Sequence, residues 1–200
     1  MVILGLTGSV GMGKTTAARQ LRRLGIPVHD ADRTVHRLLA RGGEAVGPVA
    51  AAFPGVLRDG SIDRAALGRL VFADPARLRQ LEKILHPLVR KCERRFLARA
   101  RRQRRRLVVL DIPLLFETGG EARCDKVLVV SAPRHIQLAR VMARPGMTAE
   151  RLAGMEARQM PDAEKRRRAD IVIDTGLDRR HSLVMLRRAL RRFGVRGTDA

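Results

Sequence analysis

The chain is expected to fold as an α/β three-layer sandwich, a central parallel five-stranded sheet with helices on both faces, carrying a helical insertion and a lid. Three observations predict it. Apolar runs and helix-patterned stretches alternate along the chain, the order that right-handed crossovers turn into a parallel sheet covered on both sides. The runs VILGL, LVVL and VLVV are continuously apolar, as strands buried on both faces must be. A glycine-rich stretch over residues 8–15 stands where the first strand gives way to the first helix.

Taken in order, the strands are expected at 2–6, 27–29, 107–110, 127–130 and 171–173. The helices between and after them are expected at 13–24, 33–39, about 75–102, 134–143 and 179–193. Two segments interrupt the rhythm. Residues 43–106 are far longer than the single helix a crossover requires, so they are expected to form a mainly helical, substrate-binding insertion, with 1–42 and 107–200 as the core. Residues 144–168 are rich in Arg, Met and Glu with Pro145, Gly146 and Pro161 as breakers, which predicts two short helices on flexible joints, a lid. Pro87 falls inside the helical pattern of Leu78, Leu81, Ile84, Leu85, Leu88 and Val89, where it is expected to kink the helix beside His86.

Composition narrows the function classes. A chain of 200 residues that is 45% hydrophobic can build the core of one ordinary domain, which excludes a disordered protein. No stretch reaches the roughly 18 apolar residues of a membrane span, and residues 1–6 read as a strand, not a basic leader, so a soluble, cytoplasmic protein is expected. Cys92 and Cys124 belong to no C-x-x-C or Cys/His cluster, which argues against a disulfide framework or a zinc site. The net charge of +21 raises the question of a nucleic-acid partner. Only five of the 41 basic residues are lysine, an arginine bias that a GC-rich genome also produces, and with no Trp or Tyr and five Phe there is little to stack on bases. The charge is read as solvated surface, and nucleic acid is disfavoured as substrate.

Gly8-Ser9-Val10-Gly11-Met12-Gly13-Lys14-Thr15 matches G-x-x-x-x-G-K-[ST] between a strand and a helix. The glycines free the backbone so that its N–H groups converge on phosphates at a helix N-terminus, where the helix dipole favours anions. Lys14 then reaches the β- and γ-phosphates and the Thr15 hydroxyl ligates Mg²⁺, so the sandwich is a P-loop fold with ATP and Mg²⁺ as its ligands. Asp111 ends the third strand, where P-loop proteins place a carboxylate that holds magnesium directly or through water.

His29-Asp30-Ala31-Asp32 follows the second strand at the sheet edge where open α/β folds bind ligands. A carboxylate here can take the proton of an acceptor hydroxyl, or it can cap the following helix; position alone leaves both open. The apolar continuation 112–117 either lines a substrate pocket or is a buried strand-to-loop transition, and His86 is either structural or catalytic. Arg140, Arg144, Arg158, Lys165 and Arg166 supply cations on the lid side, of which one or two are expected on the triphosphate and the others in solvent.

Taken together, GLTGSVGMGKTTAA, DADRTVH, LVFADPARLRQLEKILHPLVR, LDIPLLFETG, RVMAR and ARQMPDAEKRRRADIVID resemble the dephospho-coenzyme A kinase family, in that family's order across nearly the whole chain. The resemblance implies ATP-dependent phosphorylation of the 3′-hydroxyl of dephospho-coenzyme A, the last step of coenzyme A biosynthesis. It implies residues 11–16, from Gly11 to Thr16, as the ATP-phosphate loop, Asp32 as catalytic base and Arg140 as the lid-side phosphate contact. His86 and Pro113, Leu114, Leu115, Phe116 and Glu117 become pocket residues for the pantetheine and adenosine parts of the substrate. Where the family usually carries a segment like DNSG after its last strand, this chain has Asp174-Thr175-Gly176. A monomer or weak homo-oligomer is expected. A nucleoside or nucleotide kinase would share the phosphate loop and the lid; the apolar 113–117 loop and the insertion suit a longer, partly apolar substrate better.

Overall fold

The computed structural model describes residues 1–72 and 74–193. Residue 73 and residues 194–200, within the spans expected for the insertion and the core, lie outside the described residues. In chain order the elements are β1 (Val2–Thr7), α1 (Lys14–Arg23), β2 (Val28–Asp30), α2 (Ala31–Leu39), α3 (Val46–Ala52), β3 (Leu57–Arg58), β4 (Ser61–Ile62), α4 (Arg64–Phe72) and α5 (Pro75–Arg102). There follow β5 (Leu107–Asp111), a 3₁₀ turn (Gly120–Arg123), β6 (Lys126–Ser131), α6 (Arg134–Met142), α7 (Ala149–Glu156), α8 (Asp162–Arg168), β7 (Ile171–Asp174) and α9 (Arg179–Arg191). The chain divides into two compact units, Met1–His29 with the residues from Ala100 onward, and Asp30–Arg99.

The first unit holds the expected parallel sheet, in the order β2-β5-β1-β6-β7. Val2 pairs with Leu107 and Leu6 with Asp111 on one side of β1, while Leu4 pairs with Lys126 and Thr7 with Val129 on the other. β1 is therefore the central strand, and the glycine-rich loop that leaves its C-terminal end emerges at the middle of the sheet edge. Leu4, Leu6, Leu128, Val130 and Ile173 pack on one face against Ala17, Ala18 and Leu21 of α1 and Leu186 and Leu190 of α9. Leu4, Leu6, Leu21 and Leu128 are fully buried, each contributing about 1.5–3 kcal/mol of hydrophobic stabilisation. α1 joins this face because Ala17, Ala18 and Leu21 recur at helical spacing and the two alanines let it lie close to the strands.

The second unit has its own apolar cluster, centred on Val49, Phe53, Val56, Leu67, Leu81 and Leu85. Leu38 and Leu39 of α2 belong to that cluster, so the unit begins at Asp30, ahead of the insertion boundary expected at 43. It ends at Arg99, short of 106, because the residues after α5 already serve the sheet: the Val2 N–H donates to the Arg106 carbonyl at 2.8 Å. Between the helices lies a small antiparallel hairpin, β3 to β4, that the mainly helical reading did not anticipate. Its turn, Asp59 at φ 48° and Gly60 at φ 74°, is the left-handed pair that an Asp-Gly dipeptide favours. α5 runs for 28 residues with Pro87 inside it; residue 87 has no N–H to give the Lys83 carbonyl, yet the helix continues on both sides. Among the described residues no helix is long and apolar enough to cross a membrane.

Candidate active site

The glycine-rich loop occupies the turn from β1 into α1. Gly13 is the residue before α1 and holds φ 84°, a left-handed conformation that a side chain disfavours, which aims the first N–H groups of α1 out of the helix end. Gly8 lies against β6, where a β-carbon would sit 2.5 Å from Val130 Cγ2 and 2.7 Å from its carbonyl oxygen. Substitution there would push the loop off the sheet. Three partners distant in sequence hold the intervening peptides. Gln137 Nε2 donates to the Val10 carbonyl at 2.8 Å, the Val10 N–H donates to Gln159 Oε1 at 3.1 Å, and Thr175 Oγ1 donates to the Met12 carbonyl at 2.9 Å. Thr175 is itself gripped by Arg140, whose guanidinium donates to its hydroxyl at 3.2 Å and to its carbonyl at 2.5 Å.

Lys14 begins α1 and its ammonium sits 2.7 Å from Asp111 Oδ1. Asp111 closes β5, paired in register with Leu6, and its side chain is 4% exposed while that of Lys14 is 18% exposed. Thr15 and Thr16 follow in the first turn of α1, Thr15 exposed and Thr16 half-buried. The donors near the loop are thus hard oxygens, the Asp111 carboxylate and the Thr15 hydroxyl. Among the described residues no cluster of three or more His, Cys, Asp or Glu could cage a metal by itself. That set fits Mg²⁺ that arrives with a nucleotide, since this ion keeps much of its shell in water and phosphate oxygens and takes one or two protein ligands.

The two aspartates after β2 separate. Asp30 is the residue before α2, and its Oδ1 accepts the Arg33 N–H at 2.9 Å, so Asp30 is the cap. Asp32 lies within the first turn of α2 with its side chain exposed, because the helix begins at Ala31, two residues earlier than the pattern predicts. His86 stands exposed on α5 in the same unit. In the first unit, Pro113 and Leu114 are half-buried, Phe116 is buried and Leu115 is completely so, closing the space beneath Gly5, where a β-carbon would lie 2.9 Å from its Cδ2. The packing alternative therefore holds for Leu115. The Thr7 hydroxyl donates to the Pro113 carbonyl at 2.9 Å, tying this loop to the end of β1.

Lys165 corrects the expectation of a lid cation free to meet phosphate. Its side chain is 0% exposed and its ammonium lies 2.8 Å from Glu117 Oε1, which also accepts the Met160 N–H at 2.8 Å. Arg144, Arg158 and Arg166 are exposed. The two short helices expected over 144–168 are present as α7, capped by the Thr148 hydroxyl, and α8, which starts after Pro161. Arg134 at the start of α6 pairs with Glu156 at the end of α7, and the hydrogen bond it donates to the Glu156 carboxylate raises the Arg134 pKa above its ordinary value. Beside the loop opens a cavity of about 590 Å³ bounded by Ser9, Met12, Gln137, Gln159, Asp162 and Asp174, of the size that takes small molecules. Gln137, Gln159 and Thr175 escape a reading by motif. Gln137 lies on the inward face of α6, only 3% exposed, a burial that the packed structure alone reveals.

The family model described as dephospho-CoA kinase matches residues 2–178. The dephospho-CoA kinase of Paramagnetospirillum magneticum is 70% identical over 166 residues, 83% of this chain and 78% of that protein. The dephospho-CoA kinase of Rhodospirillum rubrum is 58% identical over 199 residues, 98% of this chain and 94% of the relative. Among solved structures, TT1252 from Thermus thermophilus superposes with a TM-score of 0.84 at 40% identity, covering 96% of both chains.

Proposed function

The chain belongs to the dephospho-CoA kinase family, and from that premise we propose that it transfers the γ-phosphoryl group of ATP to the 3′-hydroxyl of dephospho-coenzyme A, completing coenzyme A. The observation that carries this reading is the match over residues 2–178, which takes in the phosphate loop, the Asp-Ala-Asp segment and the 113–117 loop together. The N–H groups at the start of α1 receive the phosphate oxygens, helped by the positive end of the helix dipole. Lys14 exchanges its contact with Asp111 for the β- and γ-phosphates, where its charge offsets the negative charge that builds during transfer. Thr15 and Asp111 would hold Mg²⁺, which when bound neutralises charge on the β- and γ-oxygens.

Asp32 serves as the base. Its carboxylate takes or orients the 3′-hydroxyl proton as that oxygen bonds to the γ-phosphorus and the bond to the β–γ bridging oxygen breaks, leaving ADP. The capping by Asp30 supports this role, because it leaves the Asp32 carboxylate with no N-cap duty. Arg140 stands at the base of the lid and contributes positive charge on the donor side. His86 and the loop of Pro113, Leu114, Phe116 and Glu117 are the residues we assign to the pantetheine and adenosine parts of the acceptor, Leu115 acting by packing beneath them.

Incubation with ATP and Mg²⁺ and a panel of dephospho-coenzyme A, nucleosides and nucleotides, scored by product mass, tests the reading. Phosphorylation of dephospho-coenzyme A is the expected result, and a preference for a nucleotide overturns it. Lys14→Ala, or chelation of the metal, should cut turnover by about 10²–10³-fold or more, the scale of losing one preorganised electrostatic partner.

A further inference from the structure

Residues 159–165 touch both sides of the reaction. The Gln159 side chain accepts the Val10 N–H of the phosphate loop at 3.1 Å, on the donor side. One residue later, the Met160 N–H donates at 2.8 Å to Glu117 Oε1, at the end of the 113–117 loop assigned above to the acceptor. Asp162 accepts from the Ser131 hydroxyl at 2.7 Å, which moors the middle of the segment to the C-terminal end of β6. Lys165 returns to Glu117 at 2.8 Å. The same short segment, at the C-terminal root of the lid, therefore grips the phosphate loop with one side chain and the acceptor loop with two groups.

The Glu117–Lys165 pair is not what stability alone would select. The Lys165 ammonium is wholly buried and approaches Glu117 closely but off hydrogen-bond alignment, and Glu117 Oε2 is buried with no hydrogen-bond partner among the described residues. Burying two charges costs several kcal/mol each in desolvation, and an incompletely satisfied pair recovers less of that than apolar packing of the same volume would. What such a pair does supply is position: the ammonium and the Met160 N–H converge on one carboxylate oxygen, Glu117 Oε1.

We propose that 159–165 is a positioning strut, with Glu117 and Lys165 as its acceptor-side pin and Gln159 as its donor-side contact, so that ordering of the acceptor loop and ordering of the phosphate loop favour one another. The inference rests on the assignment of the 113–117 loop to dephospho-coenzyme A. Its consequence is a coupling between the two substrates, which linkage makes reciprocal: each raises the affinity of the other by the same factor.

The test uses the double variant E117Q/K165M, which buries no charge, keeps an acceptor for the Met160 N–H and keeps the aliphatic stem of residue 165. Calorimetric titration of a non-hydrolysable ATP analogue, with and without dephospho-coenzyme A, gives the coupling factor, and steady-state kinetics separate kcat from KM. For the wild type a coupling of about fivefold or more is expected, the lower end of the usual range. The double variant should melt no lower than the wild type and bind the analogue alone within about threefold, yet lose the coupling and about tenfold or more in kcat. K165M alone should melt lower, because it strands the Glu117 carboxylate. A double variant with wild-type kcat and coupling, or a wild type with no coupling, overturns the strut and leaves the pair a packing feature. A wild type that does not phosphorylate dephospho-coenzyme A overturns instead the reading of the function, and with it the acceptor half of the strut.

Discussion

The phosphate-loop edge of the first unit and the Asp30–Arg99 unit are held together by different physics. Around the loop, buried or half-buried polar contacts link residues far apart in sequence: Gln137 to Val10, Thr175 to Met12, Lys14 to Asp111. The Asp30–Arg99 unit is held by an apolar cluster around Val49 and Phe53, and ion pairs such as those of Glu44 with Lys91 and Arg95 lie on its surface. On the proposed reading, the fixed contacts around the loop suit the donor. A triphosphate is a compact set of charges that rewards fixed donors, whose worth depends on being in place before the charge develops.

Replacing Phe53 by Ala gives the largest test of that contrast. The side chain is 2% exposed at the centre of the second cluster, so its loss should cost about 3–5 kcal/mol. If the two regions are separately held, hydrogen exchange should show protection falling through α3 and the β3–β4 hairpin while the amides of β1, β5 and β6 keep theirs. Uniform loss across both units would break the comparison.

The pair of aspartates after β2 sharpens it at the level of single atoms. Asp32→Asn should leave the melting temperature unchanged, because the cap belongs to Asp30, and lower single-turnover phosphoryl transfer by about 10²-fold or more. Asp30→Ala should do the reverse in kind, costing about 1 kcal/mol of stability through the lost bond to the Arg33 N–H. A fully active Asp32→Asn enzyme would move the base elsewhere.

The smallest effect concerns Glu44. Hydrogen bonds from Lys91 and Arg95 hold its carboxyl below the ordinary value of 4.5, so the folded state binds this proton more weakly than the unfolded chain does. Its contribution to stability is therefore fully present above about pH 4.5 and disappears as pH falls through the folded value. Glu44→Gln should melt slightly lower than the wild type at pH 7, with the gap closing towards pH 3 and shrinking in high salt, as exposed pairs do. A gap that persists in acid would mean that Glu44 acts through packing.

Much of the first unit was legible before folding because parallel strands buried on both faces leave unbroken apolar runs. β1, β5, β6 and β7 fall within about one residue of where those runs place them, and α1, α6 and α9 follow the breakers between. The second unit was less legible. α3 and the small hairpin lie in a stretch rich in Ala, Gly and Val with little periodicity, and the Asp59-Gly60 turn was its clearest local signal.

The sequence by itself determined the phosphate loop, the order of strands and helices that makes a sheet around it, and the family, since each is written in contiguous residues. Only the tertiary structure decided which aspartate caps α2, because the helix start shifted by two residues and carried Asp32 inside it. Only it turned Lys165 from a solvent-facing lid cation into the buried partner of Glu117, and only it brought Gln137, Gln159 and Thr175 onto the loop. Those contacts span 127, 149 and 163 residues of chain. A hydrogen bond between groups so far apart imposes no spacing on its neighbours, so no local pattern records it; the sheet register and the crossovers bring its two ends together.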